Sequence, residues 1–176
     1  MDIDQTVLDN IAYQARLIEN GQYYPIGWDE WCMEEKALYI PGVERFLNEA
    51  INLGVEIFFV TNRTANLEEA TRNNLEKLGF IFSKDIDQLL MKNEKPEWTS
   101  DKTSRRELIA KDYRIIMMIG DNYGDFVDLK INRSSTEKRN YSAANYENMW
   151  GHSWFMLANP TYGDWEGALI DHNYLQ

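Results

Sequence analysis

Val55-Glu56-Ile57-Phe58-Phe59-Val60 runs into Thr61-Asn62-Arg63, and Ile115-Ile116-Met117-Met118-Ile119 runs into Gly120-Asp121. Both apolar runs are short and dense in β-branched or aromatic residues. Each reads as a strand buried on both faces, the pattern of parallel strands. Ser153-Trp154-Phe155-Met156-Leu157, stopped by Asn159-Pro160, is expected as a third. Helical spacing recurs between them. Residues 42–53 carry Val43, Phe46, Leu47, Ala50 and Ile51 between Pro41 and Gly54. Residues 67–78 carry Leu67, Ala70, Leu75 and Leu78 before Gly79, and a helix over about 103–112 carries Leu108 and Ile109. Strands alternating with helices predict an α/β fold, a Rossmann-like three-layer sandwich with a mostly parallel central sheet. Ligands in such sheets bind at the carboxyl ends of the strands, so the polar residues just after each run become the candidates.

Composition narrows the class. At 176 residues the chain suits one domain spanning 1–176, and no repeat, linker or low-complexity tract divides it. Eighteen Lys and Arg against twenty-nine Asp and Glu give a net charge of −11, which argues against a nucleic-acid polymer or a broad anionic membrane surface as partner. Cys32 stands alone, so disulfide frameworks and Cys-rich zinc sites are excluded, and its plain reading is a small buried hydrophobe. His152 and His172 are too few for a His-rich metal site, and no G-x-S-x-G turn supports a serine nucleophile. No stretch approaches the roughly 20 apolar residues of a membrane span. Met1-Asp2-Ile3-Asp4 lacks the basic and apolar segments of a signal peptide.

The candidates at the strand ends are individually weak. Asp2-Ile3-Asp4, followed by an apolar helical run of Val7, Leu8, Ile11 and Ala12, is by itself a common turn or cap pattern. Thr61-Asn62-Arg63 and Gly120-Asp121-Asn122-Tyr123-Gly124-Asp125 are equally ordinary alone. Their combination matches one chemistry. A phosphoryl group needs an in-line nucleophile and donors on its equatorial oxygens. Magnesium takes oxygen ligands, often one or two carboxylates with substrate phosphate and water. A leaving alkoxide needs a proton, which a second carboxylic acid can supply.

The arrangement resembles the haloacid dehalogenase-like (HAD) superfamily, and more closely its class C acid phosphatases, the bacterial lipoprotein acid phosphatase family. Asp2-Ile3-Asp4-Gln5-Thr6-Val7-Leu8-Asp9-Asn10 is similar to that family's opening D-x-D-E-T-V-L-D-N. Phe59-Val60-Thr61-Asn62-Arg63 resembles its second signature, and Ser100-Asp101-Lys102-Thr103-Ser104 its lysine region. Gly120 to Phe126 matches G-D-N-x-x-D-F, and Asn159 to Ala168 looks like N-P-x-Y-G-D-W-E-G-A. The resemblance implies an Mg²⁺-dependent acid phosphatase that hydrolyses phosphomonoesters, nucleoside 5′-monophosphates included, through an aspartyl-phosphate. Asp2 would be the nucleophile and Asp4 the general acid and then base. Thr61 would donate to the phosphoryl group and Lys102 neutralise its charge. Lys92 and Lys95 are the competing lysines, because Pro96-Glu97-Trp98 looks like a local insertion. Asp2, the Asp4 carbonyl, Asp121 and Asp125 would hold the metal, with Asn62, Arg63, Trp28 and Tyr162 on the substrate side. Trp28 and Tyr162 would stack on a base or ring, within a small helical and aromatic cap drawn from about 10–41 and 135–176.

Departures from the family pattern carry their own expectations. Only Met1 precedes Asp2, so the family's opening strand is expected upstream of this sequence, together with any signal peptide and lipid-attachment cysteine. Gln5 replaces the usual Glu, with a modest effect expected. The resemblance also implies an extracytoplasmic bacterial setting, with membrane association only through such an upstream anchor, and leaves a homodimer open. Two other readings stand beside the phosphatase. One is a receiver-like phosphoacceptor domain, whose acidic pair normally precedes its acceptor. The other is a non-catalytic ligand-binding homologue.

Overall fold

The computed structural model describes residues 1–166. In chain order its elements are β1 (Leu8–Asp9), α1 (Ile11–Asn20), α2 (Trp28–Met33), β2 (Leu38–Tyr39), α3 (Val43–Asn52), β3 (Phe59–Thr64) and α4 (Glu68–Lys77). They continue with β4 (Leu89–Lys92), α5 (Thr103–Asp112), β5 (Met118–Gly120), α6 (Leu129–Asn132), α7 (Thr136–Asn145) and β6 (Trp154–Met156).

Two parallel pairs, β3 with β4 and β5 with β6, form the halves of the sheet. Residues 1–3 join them. Val60 donates its N–H to the Met1 carbonyl at 2.8 Å, and Asp2 donates to the Ile119 carbonyl at 2.9 Å. The lateral order is therefore β4, β3, residues 1–3, β5, β6, which sets Asp2 in the middle of the sheet.

Side chains alternate across this sheet as a strand's period requires. Phe59, Leu89 and Met91 enter one core with Leu47 of α3 and Leu75 of α4. Val60 and Leu90 enter the other with Trp98 and Ile109 of α5. Helices therefore cover both faces, the α/β sandwich expected from the alternation. Leu67, Leu75, Leu89 and Met91 are fully buried, each contributing roughly 1.5–3 kcal/mol by leaving water.

The expected strands over 55–60 and 115–119 begin later, at Phe59 and Met118. The physical reason lies beside them. An apolar groove of about 770 Å³ runs between 55–58 and 114–117, walled by Ala50, Leu53, Phe58, Tyr113, Ile116 and Ile119. Neither stretch has a ladder partner across it, and extended backbone without a partner is not a strand. The expected strand at 153–157 is shortened to β6 in the same sheet. The helical run anticipated directly after Asp4 is also corrected. Thr6 and Val7 form a turn, Leu8 and Asp9 pair antiparallel with Leu38 and Tyr39, and the helix starts at Ile11.

Residues 10–41 add α1 and α2 to the first core through Tyr13, Leu17, Trp31 and Cys32. The Cys32 thiol is buried, which pushes its pKa up to about 12 and leaves it inert near neutral pH. Farther along, Tyr123, Phe126, Val127 and Trp154 form a separate cluster with Ala143 of α7 against it. The last part of the cap expected over 135–176, residues 167–176, lies outside the described residues. Among those described, no helix is long and apolar enough to cross a membrane.

Candidate active site

The carboxyl ends of residues 1–3, β3 and β5 converge, and each delivers the polar residues that follow it. Asp2 leaves the centre of the sheet, Thr61 and Arg63 sit on β3, and Asp121 follows β5. Lys102 arrives from outside the sheet, at the residue preceding α5. Its ammonium lies 2.5 Å from Asp2 Oδ1 and 2.6 Å from Asp125 Oδ1, with all three side chains nearly buried. Burial works against the Lys102 charge, and the two carboxylates outweigh it, so its pKa is held above the ordinary lysine value. The competing lysines make no such contact: Lys95 instead lies over the Trp98 ring, 4.2 Å from its centroid.

Asp2, Asp121 and Asp125 each offer an oxygen within 4.8 Å of the others. Three hard oxygen donors at that spacing suit a divalent cation such as Mg²⁺ or Ca²⁺ better than a soft metal. Crowding shows in their protonation. Burial lifts the Asp121 pKa to about 8, with Asp2 and Asp125 adding repulsion. Burial also lifts Asp2 to about 6, against the pull of Lys102. Asp121 and Asp125 each have an outer partner. Asn159 donates to Asp121 at 2.7 Å, and the Asn122 N–H donates to Asp125 Oδ2 at 2.9 Å.

Gly120 makes this cluster possible through space rather than through backbone freedom. A Cβ there would sit 2.2 Å from Asp125 Oδ2 and 2.6 Å from the Asp125 Cβ. Gly120→Ala is therefore expected to push Asp125 off Lys102 and to weaken divalent-cation binding by the three carboxylates about ten-fold or more. Calorimetric titration checks this, and an unchanged affinity in a folded variant would refute it.

Asp4 faces a different set of neighbours. It pairs with Arg63, whose Nη2 donates to Oδ1 at 2.8 Å, and it also accepts from Asn10 Nδ2 at 2.8 Å. Thr61 is fully buried and its Oγ1 accepts the Arg63 N–H at 3.0 Å, which leaves the hydroxyl proton available to a ligand. Asn62, expected at the substrate, spends its amide on the Ser100 carbonyl and Arg105. Arg63, expected there too, is 2% exposed and turned onto Asp4 and Thr71. Trp28 is partly buried, edge-on to Tyr13 and within 5.5 Å of the Arg63 guanidinium. Tyr162 brings a buried hydroxyl that makes no well-aligned hydrogen bond among the described residues, with the Asn10 side chain close to it. Burial, with Asp4 and Asp121 nearby, raises its pKa.

Some residues escaped sequence reasoning. Asn10 is fully buried and links Asp4 to Trp31, whose Nε1 donates to Asn10 Oδ1 at 2.9 Å. Arg105 is fully buried and makes no salt bridge among the described residues. It donates to the carbonyls of Thr61, Leu90 and Thr99 and to Asn62 Oδ1, tying the end of β3 to β4 and to the loop before Lys102. Asn10 and Asn159 lie inside the quoted motifs, and only their contacts reveal their use.

Comparison with known proteins converges on one group. The sequence profile of the HAD superfamily, subfamily IIIB (Acid phosphatase), matches residues 1–165. The class C acid phosphatase from Bacillus anthracis superposes with a TM-score of 0.86 at 35% identity, covering 99% of this chain and 71% of that one. The same enzyme with tungstate bound gives equal values. Among curated sequences, the stem 28 kDa glycoprotein of Glycine max is 31% identical over 134 residues, 71% of this chain and 50% of that protein. Vegetative storage protein 1 of Arabidopsis thaliana is 29% identical over 139 residues, 72% of this chain and 48% of that protein. The chain thus spans about half the length of the curated relatives it matches.

Proposed function

Because the chain belongs to the acid phosphatase family of HAD subfamily IIIB, we propose that it is an Mg²⁺-dependent phosphomonoesterase that works through an aspartyl-phosphate on Asp2. The observation that carries this is the division between two carboxylates only two residues apart. Asp2 shares a buried cationic and acidic cluster with Lys102, Asp121 and Asp125, whereas Asp4 is turned away onto Arg63 and Asn10. Different environments suit different roles, a nucleophile and a proton donor.

In the proposed reaction a carboxylate oxygen of Asp2 bonds to phosphorus as the ester P–O bond breaks. The departing oxygen takes its proton from Asp4. Asp4, now a carboxylate, then removes a proton from the water that attacks phosphorus and frees Asp2. Thr61 Oγ1 donates to an equatorial oxygen, and Lys102 supplies positive charge beside it. Asp2, Asp121, Asp125 and the Asp4 carbonyl would hold Mg²⁺, which would neutralise phosphoryl charge when bound. The tungstate in the B. anthracis relative is itself a tetrahedral oxyanion.

Trp28, 5.5 Å from the guanidinium that holds Asp4, and Tyr162, whose hydroxyl feels the Asp4 charge, carry the proposal that nucleoside 5′-monophosphates are among the substrates. Stacking of a base on such a ring contributes roughly 1–3 kcal/mol without reading its identity. The partner is thus a small phosphomonoester, and an extracytoplasmic setting belongs to the same proposal.

Hydrolysis of 4-nitrophenyl phosphate and of 5′-, 3′- and sugar phosphates tests the reading. Turnover should vanish in EDTA, return with Mg²⁺, and favour 5′-nucleotides over sugar phosphates. Absence of turnover with Mg²⁺ from acid to neutral pH would favour the phosphoacceptor or ligand-binding alternatives.

A further inference from the structure

We propose that Arg63 is a positioning residue that leaves a single oxygen of Asp4 able to carry the transferred proton. This rests on Asp4 acting as the acid in the reaction above.

The contacts are asymmetric. Asp4 Oδ1 accepts from Arg63 Nη2 at 2.8 Å, from Arg63 Nε at 3.1 Å and from Asn10 Nδ2 at 2.8 Å. Among the described residues, Oδ2 has only a long 3.3 Å contact with Arg63 Nε. An oxygen already receiving three donors has no free lone pair for a proton. A proton in transit through Asp4 therefore has its place on Oδ2, and a leaving-group oxygen must approach Asp4 from that side.

The donors are themselves fixed. Arg63 Nη1 donates to Thr71 Oγ1 at 3.2 Å, and the Arg63 N–H is held by Thr61 Oγ1. The Trp28 ring lies 5.5 Å from its guanidinium carbon. Asn10 is clamped by Trp31 and by Gln5 Oε1, which accepts the Asn10 N–H at 2.6 Å. At 2% exposure Arg63 has its guanidinium occupied by Asp4 and Thr71. A lysine could keep the charge but not the fork of donors that orients the carboxylate.

During P–O cleavage, Asp2 forms a bond to phosphorus and the ester oxygen leaves with the electron pair. It then takes the proton from Asp4 Oδ2, and Asp4 is left as a carboxylate under Arg63. An alkoxide needs that proton, whereas a dinitrophenolate departs without it. A misaimed Asp4 should therefore penalise esters according to their leaving group.

The test compares kcat/KM for 2,4-dinitrophenyl phosphate and glycerol phosphate in Arg63→Lys and Thr71→Val, because kcat/KM reports steps through P–O cleavage. Arg63→Lys should lose about 100-fold on glycerol phosphate and less than about three-fold on the dinitrophenyl ester, the range open to general acid catalysis. Thr71→Val, which removes the hydroxyl behind Arg63 without changing any charge, should show the same pattern at about ten-fold. An equal loss on both esters would assign Arg63 to fold maintenance or phosphate binding and overturn the proposal. If Arg63→Lys does not fold, the pattern in Thr71→Val decides. No turnover of either ester by the unaltered chain would remove the phosphatase reading itself, a separate result.

Discussion

Asp2→Asn should reduce turnover of every phosphomonoester by about 10⁴-fold or more, the loss seen when a covalent nucleophile is removed. The substitution is nearly isosteric, and Lys102 keeps Asp125 as a partner at 2.6 Å, so the fold should survive. What disappears is the carboxylate that lies at the centre of the sheet and against Lys102. Asp4 should not take over, because Arg63 and Asn10 hold it away from the Lys102 cluster. Steady-state assays supply the rate, and acid quenching of a reaction with labelled substrate supplies the intermediate. The unaltered chain should yield trapped phosphoenzyme and Asp2→Asn none. Activity within 100-fold of the unaltered chain would show that the nucleophile is elsewhere.

Lys102→Met should have the largest effect on stability. Its ammonium is the cation that Asp2 and Asp125 share, and removing one partner from a buried charge cluster costs about 3–5 kcal/mol. The loss should depend on pH, with a definite sign. Asp2 and Asp121 already have folded pKa values of about 6 and about 8, above the ordinary carboxylate value of about 3.9. Between that value and 6–8 the folded chain keeps protons that the unfolded chain has released, so stability falls as pH rises through this window. Lys102 pulls both carboxyls down, so its removal steepens the fall. The deficit should be small near pH 5 and greatest near pH 8. Urea denaturation of both proteins in chelator at the two pH values reads it. An equal deficit at both would mean that Lys102 acts through packing rather than charge.

Much of this arrangement is legible in the sequence, and the limits are instructive. The helices over 103–112 and 42–53 were accessible because glycine, proline and apolar spacing are local signals. β4 was overlooked, since Leu89-Leu90-Met91 is too short a run to stand out. The late starts of β3 and β5 were invisible for another reason: a strand is defined by its neighbour, and Val55 or Ile115 cannot report what lies across a groove. In the site, Asp2, Lys102, Asp121 and Asp125 could be named from motifs, yet their distances come only from the fold. Arg63 shows the limit most plainly. Its place beside Thr61 suggested a ligand contact, but direction along β3 turns it to Asp4, a residue far away in sequence. Asn10 and Arg105 carry no chemistry that a motif would flag, and their buried contacts alone define their work.

Arg105 also bears on how the site can move. One guanidinium holds Thr61, Leu90 and Thr99 by their carbonyls and Asn62 by its side chain. Strand β3 at Thr61, strand β4 at Leu90 and the approach to Lys102 are therefore tied together through one side chain. Any motion that parts Thr61 from the approach to Lys102 must first break these bonds.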